Sequence, residues 1–223
     1  MLEPIADNLW VTGRRLRFAG VETGTRMTVA RLPNGGLFVH SPIPLGGGTW
    51  EAIDALGPVK VVVAPSLFHH LSVAEWIRAY PDAVICCCPG LERKRRDLKW
   101  HRVLGDEPEE EWRGEIDQVF FGARPLENEV VFFHRPTRTL ICADAVFNLA
   151  DHPSRLTRIV AWLIGNRKPG ATYFERVLIR DRAAAREQID RMLAWKPDRI
   201  LLAHGDLVAT DGCEVLRRAY AWL

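Results

Sequence analysis

VVVAPSLFHHLSVAEW, at residues 61–76, is the stretch on which the reading of this chain turns. Val61, Val62 and Val63 are β-branched and uninterrupted, the pattern of a strand buried on both faces rather than one alternating between core and solvent. Pro65 and Ser66 close the run. Ser72 followed by Glu75 has capping-box spacing, so a helix is predicted over residues 73–80. His69 and His70 therefore fall in the loop between a buried strand and a helix, the end of a layered α/β protein at which ligands and metals are held. Either imidazole could instead cap the helix or bond a neighbouring loop, and the pair alone decides nothing.

Towards the N-terminus, residues 9–12 and 17–18 read as short strands about a basic turn, Arg14-Arg15-Leu16-Arg17. TRMTVARL (25–32) and GLFVH (36–40) are β-prone runs separated by Pro33-Asn34-Gly35, a hairpin signal. After a Pro/Gly loop at 41–48, TWEAIDAL (49–56) reads as a helix stopped by Gly57-Pro58. Beyond the central stretch, AVICCC (83–88) is a buried strand. Adjacent strand residues point to opposite faces, so Cys86, Cys87 and Cys88 cannot converge on one ion, and packing as small apolar side chains is the better reading. The basic run LERKRRDLKWHR (91–102) and the acidic run DEPEEE (106–111) lack an aromatic ladder or a glycine-rich cradle. They read as a solvated excursion whose charges partly offset each other, rather than as a phosphate or nucleic-acid patch.

Further strands are predicted at 116–121, 129–134 and 139–143, the last two joined by Arg135-Pro136-Thr137-Arg138. Helices follow at 156–164 and 182–195, with 165–180 irregular and then helical between them. A strand at 199–203 and a terminal helix at 211–222 complete the chain. Strands and helices in this order, with hairpins and crossovers, suit two sheets sandwiched between helices. With no long linker, repeat or low-complexity segment, residues 1–223 read as one domain.

Composition narrows the class. A chain of 223 residues, 48% hydrophobic and 26% charged, is that of an ordinary globular protein with a substantial core. A formal net charge of +2 implies neither nucleic acid nor membrane as a partner. No apolar run is long enough for a transmembrane helix, so no membrane insertion is expected. MLEPIADNLW lacks the basic start of a secretory signal, and five cysteines, three of them consecutive, make no disulfide framework. A cytoplasmic location follows as the expectation. Of the eight tryptophans, Trp162, Trp195 and Trp222 lie on helical stretches and are assigned to the core, with a homodimer face as the alternative.

Three apolar strands end in potential metal ligands: 59–64 before His69 and His70, 139–143 before Asp144, and 199–203 before His204. Imidazoles and a carboxylate on rigid supports make a coordination set for zinc, iron or manganese, although each residue alone is as easily a cap or a turn. In that order the landmarks resemble those of the metallo-β-lactamase superfamily, nearly end to end. GLFVHSP resembles its early strand and turn, with His40 in place of an Asp. VVVAPSLFHHLSV resembles the strand leading to the His-x-His-x-Asp-His signature. ARPLENEVVFF resembles the Pro-Gly-His segment, RTLICADAVFN the strand and turn carrying the metal-bridging Asp, and RILLAHGD the last strand with its terminal Gly-His-Gly.

What the resemblance implies is an αββα four-layer sandwich over the whole chain and a hydrolase that activates water on a metal. The departures shape the expected site. Pro65 and Leu67 replace the signature's first two histidines, His69 stands on its Asp, and Glu127 falls loosely on the His of the Pro-Gly-His segment. One of the superfamily's two metal positions is thereby lost, and the other is filled by His69, His70, Asp144 and His204. The resemblance implies one divalent ion, zinc or iron, in a degenerate branch of the superfamily, acting on a small soluble substrate with an ester, thioester, lactone or phosphodiester bond. Glu127 could serve as the proton acceptor. Four bound protein ligands would close a tetrahedral ion, so catalysis would need five-coordination or one ligand staying off. The alternatives are a non-catalytic protein that binds a small ligand on this fold without a metal, and a nucleic-acid processing protein using 93–102. The near-neutral charge disfavours the latter.

Overall fold

The computed structural model describes residues 2–124 and 128–223. The first half of the chain forms β1 (Glu3–Ala6), β2 (Leu9–Arg14), β3 (Arg17–Phe18), β4 (Val21–Glu22), β5 (Thr25–Arg31), β6 (Leu37–His40), α1 (Thr49–Asp54), β7 (Val59–Ala64), α2 (Val73–Ala79), β8 (Val84–Cys87), α3 (Leu91–Lys94) and β9 (Arg102–Val103). The second half forms β10 (Ile116–Phe121), β11 (Glu129–His134), β12 (Thr139–Ile141), α4 (Arg155–Leu163), α5 (Tyr173–Leu178), α6 (Arg182–Ala194), β13 (Arg199–Leu201) and α7 (Gly212–Ala219). A seven-stranded sheet runs β1-β2-β5-β6-β7-β8-β9, a four-stranded sheet runs β10-β11-β12-β13, and β3 with β4 makes a small separate hairpin. Strands β6 to β9 are parallel, as their crossover connections require, and β12 pairs in parallel with β13.

The period of two along each strand of the smaller sheet sorts its side chains between two cores. Phe132, Ile141 and Leu201 fill the space between the sheets. Val131, Leu140 and Ile200, one residue earlier on the same strands, pack against Ala185, Ile189 and Met192 of α6 and Leu216 of α7. Across the inter-sheet space, Phe38 of β6 meets Phe132 edge-on with ring centroids 5.3 Å apart, and Trp112 joins Phe38 at 5.2 Å. On the larger sheet, Val61, Val62 and Val63 are all fully buried, as an uninterrupted β-branched run in a central parallel strand should be. Ile53 of α1 with Val73 and Trp76 of α2 covers that sheet, and the Trp76 indole donates to the Ile43 carbonyl at 2.7 Å. The layers are therefore helix, sheet, sheet, helix.

Local details differ from the sequence reading. Ser72 is not a side-chain cap; it lies in the right-handed helical region, and Glu75 accepts from the Leu45 amide at 3.2 Å instead of closing a capping box. Helix α2 ends at Ala79, and the terminal helix spans only Gly212–Ala219. The basic run holds a one-turn helix, α3, and an edge strand, β9, rather than being wholly irregular. By contrast, the turn at Pro33-Asn34-Gly35 forms as its residues dictate. Gly35 takes φ +81°, and the Asn34 carboxamide oxygen accepts from the Gly36 amide at 2.9 Å. Trp162 is exposed rather than in the core. Among the described residues no helix is long and apolar enough to cross a membrane.

His134 ends β11 with its side chain buried and Nδ1 2.7 Å from Thr137 Oγ1. Burial holds its pKa down to about 4, below the ordinary 6.5. Between those values the unfolded chain takes up a proton that the folded chain refuses, so stability present above pH 6.5 is lost as pH falls towards 4, by at most about 1.4 kcal/mol per pH unit. Replacing His134 with Asn, which keeps a polar atom near Nδ1, should flatten the acid limb of stability against pH; denaturant melts across that range measure it.

Candidate metal centre

Three strand ends converge. His69 follows β7 of the larger sheet, while Asp144 and His204 follow β12 and β13 of the smaller one, and all three side chains are buried. His69 Nε2 lies 3.1 Å from His204 Nε2 and 3.3 Å from Asp144 Oδ1, and His204 Nε2 lies 3.4 Å from the same oxygen. Ligand atoms about 2.0–2.1 Å from a tetrahedral ion stand about 3.3–3.4 Å from one another. The triangle of two imidazole nitrogens and a carboxylate oxygen therefore has the dimensions of one face of such a coordination shell. It is the one group of three potential ligands found among the described residues.

The atoms pointing away from this triangle are each held. Ser41 Oγ lies 2.6 Å from His69 Nδ1, and His204 Nδ1 lies 2.8 Å from the Gly24 carbonyl. A carbonyl only accepts, so His204 carries a proton on Nδ1, which leaves Nε2 as the nitrogen that faces inward to the triangle. Phe147 stacks on that ring at 5.4 Å with the planes 8° apart. Ser66 Oγ donates to Asp144 Oδ2 at 2.7 Å and accepts from the Phe68 and His69 amides. Ser41 takes φ +56°, an uncommon conformation for a residue with a side chain, directly after the strand end at His40. His40 is itself buried beneath the site with its ring against Phe132, and burial with the charge on His69 holds its pKa down to about 3.

Behind Asp144 lies a wholly buried ion network. Arg124 Nη1 donates to both oxygens of Glu175, at 2.9 and 3.0 Å, and to the Asp144 carbonyl at 3.3 Å, while Nη2 reaches Glu129 Oε2 at 3.3 Å. Glu129 in turn accepts from the Ala143 amide through Oε1 and from the Asp144 amide through Oε2, the latter at 2.9 Å. Burial and the nearby Asp144 push the Glu129 pKa up to about 7, against the pull of Arg124 and the two amides. Burial likewise acts to raise Asp144, but the charges and hydrogen bonds of His69 and His204 outweigh it and hold that carboxyl well below the usual range. The loop holding the second imidazole is closed by backbone: Asn148 N donates to the His204 carbonyl at 3.1 Å, and Asp206 N donates to Asn148 O at 3.0 Å. Gly205, at φ +92°, passes so close to Asn148 that no side chain would fit there.

Not every residue singled out from sequence joins the group. His70 lies outside it; its Nδ1 accepts from Arg95 at 3.0 Å, and burial with the charges of Lys94 and Arg95 lowers its pKa to about 4. Glu127 lies outside the described residues. Pro65 and Leu67 offer no side-chain ligand atom: the Pro65 carbonyl accepts from Val130, and Leu67 packs on the core. Arg124, Glu129, Glu175, Ser41 and Ser66 were not anticipated. Cys86, Cys87 and Cys88 join no ligand group among the described residues, and burial pushes their thiol pKa values up.

Comparison with known proteins places this architecture. A family model described as "Domain of unknown function (DUF4336)" matches residues 6–176. No curated protein matches the chain. Solved structures do: a metallo-β-lactamase from Pontibacter korlensis is 13% identical with a TM-score of 0.67, covering 99% of this chain and 97% of its own. The metallo-β-lactamase FIM-1 from Pseudomonas aeruginosa, in its mono-zinc form, is 9% identical with a TM-score of 0.65, over 100% of this chain and 95% of that one. The metal-soaked Flv1 flavodiiron core from Synechocystis sp. PCC6803 is 15% identical with a TM-score of 0.70; all of this chain aligns with 60% of that protein. The fold is the αββα sandwich of the metallo-β-lactamases.

Because Arg124 is the cation between Glu129 and Glu175, Arg124→Met should cost about 3–5 kcal/mol of stability by leaving buried carboxylates unpaired. Adding Glu175→Leu should recover part of that loss, which urea denaturation of the single and double variants reads directly.

Proposed function

The chain belongs to the DUF4336 family, and we propose that it is a mononuclear metal-dependent hydrolase that holds one divalent ion, zinc or iron, on His69, Asp144 and His204. The observation that carries this reading is the triangle of ligand atoms with edges of 3.1, 3.3 and 3.4 Å, each backed by a hydrogen bond on its outer side. Charge supports it. Glu129 and Glu175 are buried on the Arg124 guanidinium with the Asp144 carboxyl buried nearby, and a divalent cation beside Asp144 would offset the charge of these carboxyl groups. Two imidazoles and a carboxylate suit zinc and non-haem iron alike, and the similar structures include mono-zinc FIM-1 and the flavodiiron core of Flv1.

With His70 outside the group, three protein ligands leave a tetrahedral ion one position for water or substrate. The ion would supply Lewis acidity and bring the pKa of water there towards neutral. Ser41 and Gly24 fix the orientation of the two rings, Gly24 also places a proton on His204 Nδ1, Ser66 aims the carboxylate, and Phe147 shields one face of His204. Glu127, nominated by sequence alone, is the proton acceptor in this proposal. The substrate class remains a small ester, thioester, lactone or phosphodiester, within a single domain of a degenerate branch of the superfamily. A second reading has its own observation: one proton on His69 Nε2, shared with His204 and Asp144, satisfies the same three atoms. The chain would then be a metal-free binding protein.

Elemental analysis separates the two. About one zinc or iron per chain is expected in the wild type and in His70→Ala, and loss of the metal in Asp144→Asn and His204→Ala. Failure to take up either metal on incubation would leave the metal-free reading. Ser41→Ala should weaken metal affinity about 10- to 100-fold with the fold intact, measured by chelator competition. Turnover on a panel of the four bond types should vanish with chelation, return with metal, and fall at least about 100-fold in Glu127→Gln.

A further inference from the structure

Helices α4 and α5 are inside out. In α4 the small residues Thr157 and Ala161 face the protein, while Ile159, Trp162 and Leu163 are 58%, 56% and 61% exposed. In α5 the acid faces inward: Glu175 is buried on Arg124, and Tyr173, Phe174 and Val177 are 52%, 59% and 79% exposed. The two outward faces are continuous. Gly165, at φ +82°, ends α4 and has the Tyr173 ring lying where a Cβ would be, and the Tyr173 amide donates to the Ile164 carbonyl. An apolar surface of this extent is not the scatter of single hydrophobic residues found on any globular protein.

Its charge is one-sided. Residues 155–182 carry seven Lys or Arg side chains and two acids in a chain whose formal total is only +2. Of those acids Glu175 is buried and Asp181 caps α6 through the Ala184 amide. All seven basic side chains are exposed, and two stack on the patch: Arg167 over Trp162 at 4.5 Å and Arg176 over Tyr173 at 5.8 Å. The patch also reaches towards the metal centre. Thr157 Oγ1 donates to the Glu22 carbonyl on the β3–β4 hairpin, whose exposed Phe18 meets exposed Phe68, the residue before His69, at 6.1 Å. Lys94, from the basic run, sits 4.8 Å above that Phe68 ring.

We propose that this face docks on an anionic lipid bilayer surface, bringing the side of the molecule that carries Phe18, Phe68 and the neighbouring His69–Asp144–His204 group towards the headgroup layer. The occupant must be anionic, which tells against a second copy, since a two-fold contact would set arginine against arginine. Four of the seven exposed apolar side chains, Leu156, Ile159, Leu163 and Val177, are aliphatic, a surface on which bases do not stack and which an acyl-chain interface takes up. Ile159 and Trp162 line an open depression together with Arg155 and Arg158, and Leu163, Phe174 and Val177 are exposed outside it, which suits insertion into a fluid interface. Arginines at headgroup level and Trp, Tyr and Phe at the boundary below are the arrangement such an interface favours. Docking of this kind is independent of whether the centre holds a metal.

Sedimentation of the full chain with vesicles tests this. Wild type should pellet with phosphatidylcholine–phosphatidylglycerol vesicles at about 7:3, far less with phosphatidylcholine alone, and be released in about 0.5 M NaCl. Arg155→Glu with Arg176→Glu should lower the partition coefficient by about 25-fold or more. Trp162→Ser with Phe174→Ser should lower it by about 10-fold or more, with an unchanged far-ultraviolet circular dichroism spectrum. No pelleting of the wild type, or full retention by both variants, would overturn the proposal. So would a stable dimer in light scattering that Trp162→Ser with Phe174→Ser makes monomeric, or binding to polyglutamate tighter than to the vesicles, which would assign the face to an acidic protein. Metal content is read separately, so either proposal can fail alone.

Discussion

Arg124 carries a full charge with no part of its surface in water, and the site is built on the terms this imposes. A guanidinium in that position is tolerable only if its donors meet acceptors and its charge meets carboxylates. Glu175 and Glu129 answer that requirement from a helix and a strand of different parts of the chain. Glu129 then turns its oxygens to the amides of Ala143 and Asp144, fixing the backbone just past β12. The position of the Asp144 carboxylate is thus decided by groups that never touch it, and Ser66 sets the orientation that remains. Such a network is all or nothing, because a half-satisfied buried charge costs more than an apolar core would.

Pro65 and Leu67, the two positions at which the sequence resemblance lacks an imidazole, have a structural role in this setting. The Pro65 carbonyl is engaged by the Val130 amide, and Leu67 is partly buried against the core. The space is consumed by structure rather than left as a defective site. His69 is delivered by the larger sheet from the loop after β7, whose last four residues are fully buried, with Ser41 of the neighbouring β6 end holding the far side of the ring.

The sequence disclosed the supports better than the contacts. Three valines in a row can only be a doubly buried strand in a layered protein, so the end of β7 and the loop after it were legible at once, and so were Asp144 and His204 at the ends of apolar runs. The distinction between His69 and His70 was not. Adjacent loop residues point in directions set by backbone turns, and here the second ring turns to Arg95. The capping box failed for a similar reason: Glu75 found a tertiary donor in Leu45, and spacing carries no information about such a competitor. Arg124 and Glu175 stand 51 residues apart and are of types that usually face solvent, so no periodicity exposes them. In α4 and α5 the helices were legible but their buried faces were not, since the usual rule that large apolar side chains point inward is reversed there.

His69 comes from one sheet and Asp144 with His204 from the other, separated along the chain by 75 and 60 residues of intervening sequence order. No two neighbours in the chain make a chelate. Until the second sheet has closed on the first, each of the three is a lone, weak donor on a flexible segment. The constellation is therefore a property of the finished molecule, and a nascent or partly folded chain cannot display it. Whatever the three side chains bind, they can bind it together only once both sheets are in place, so folding and the appearance of the site are a single event.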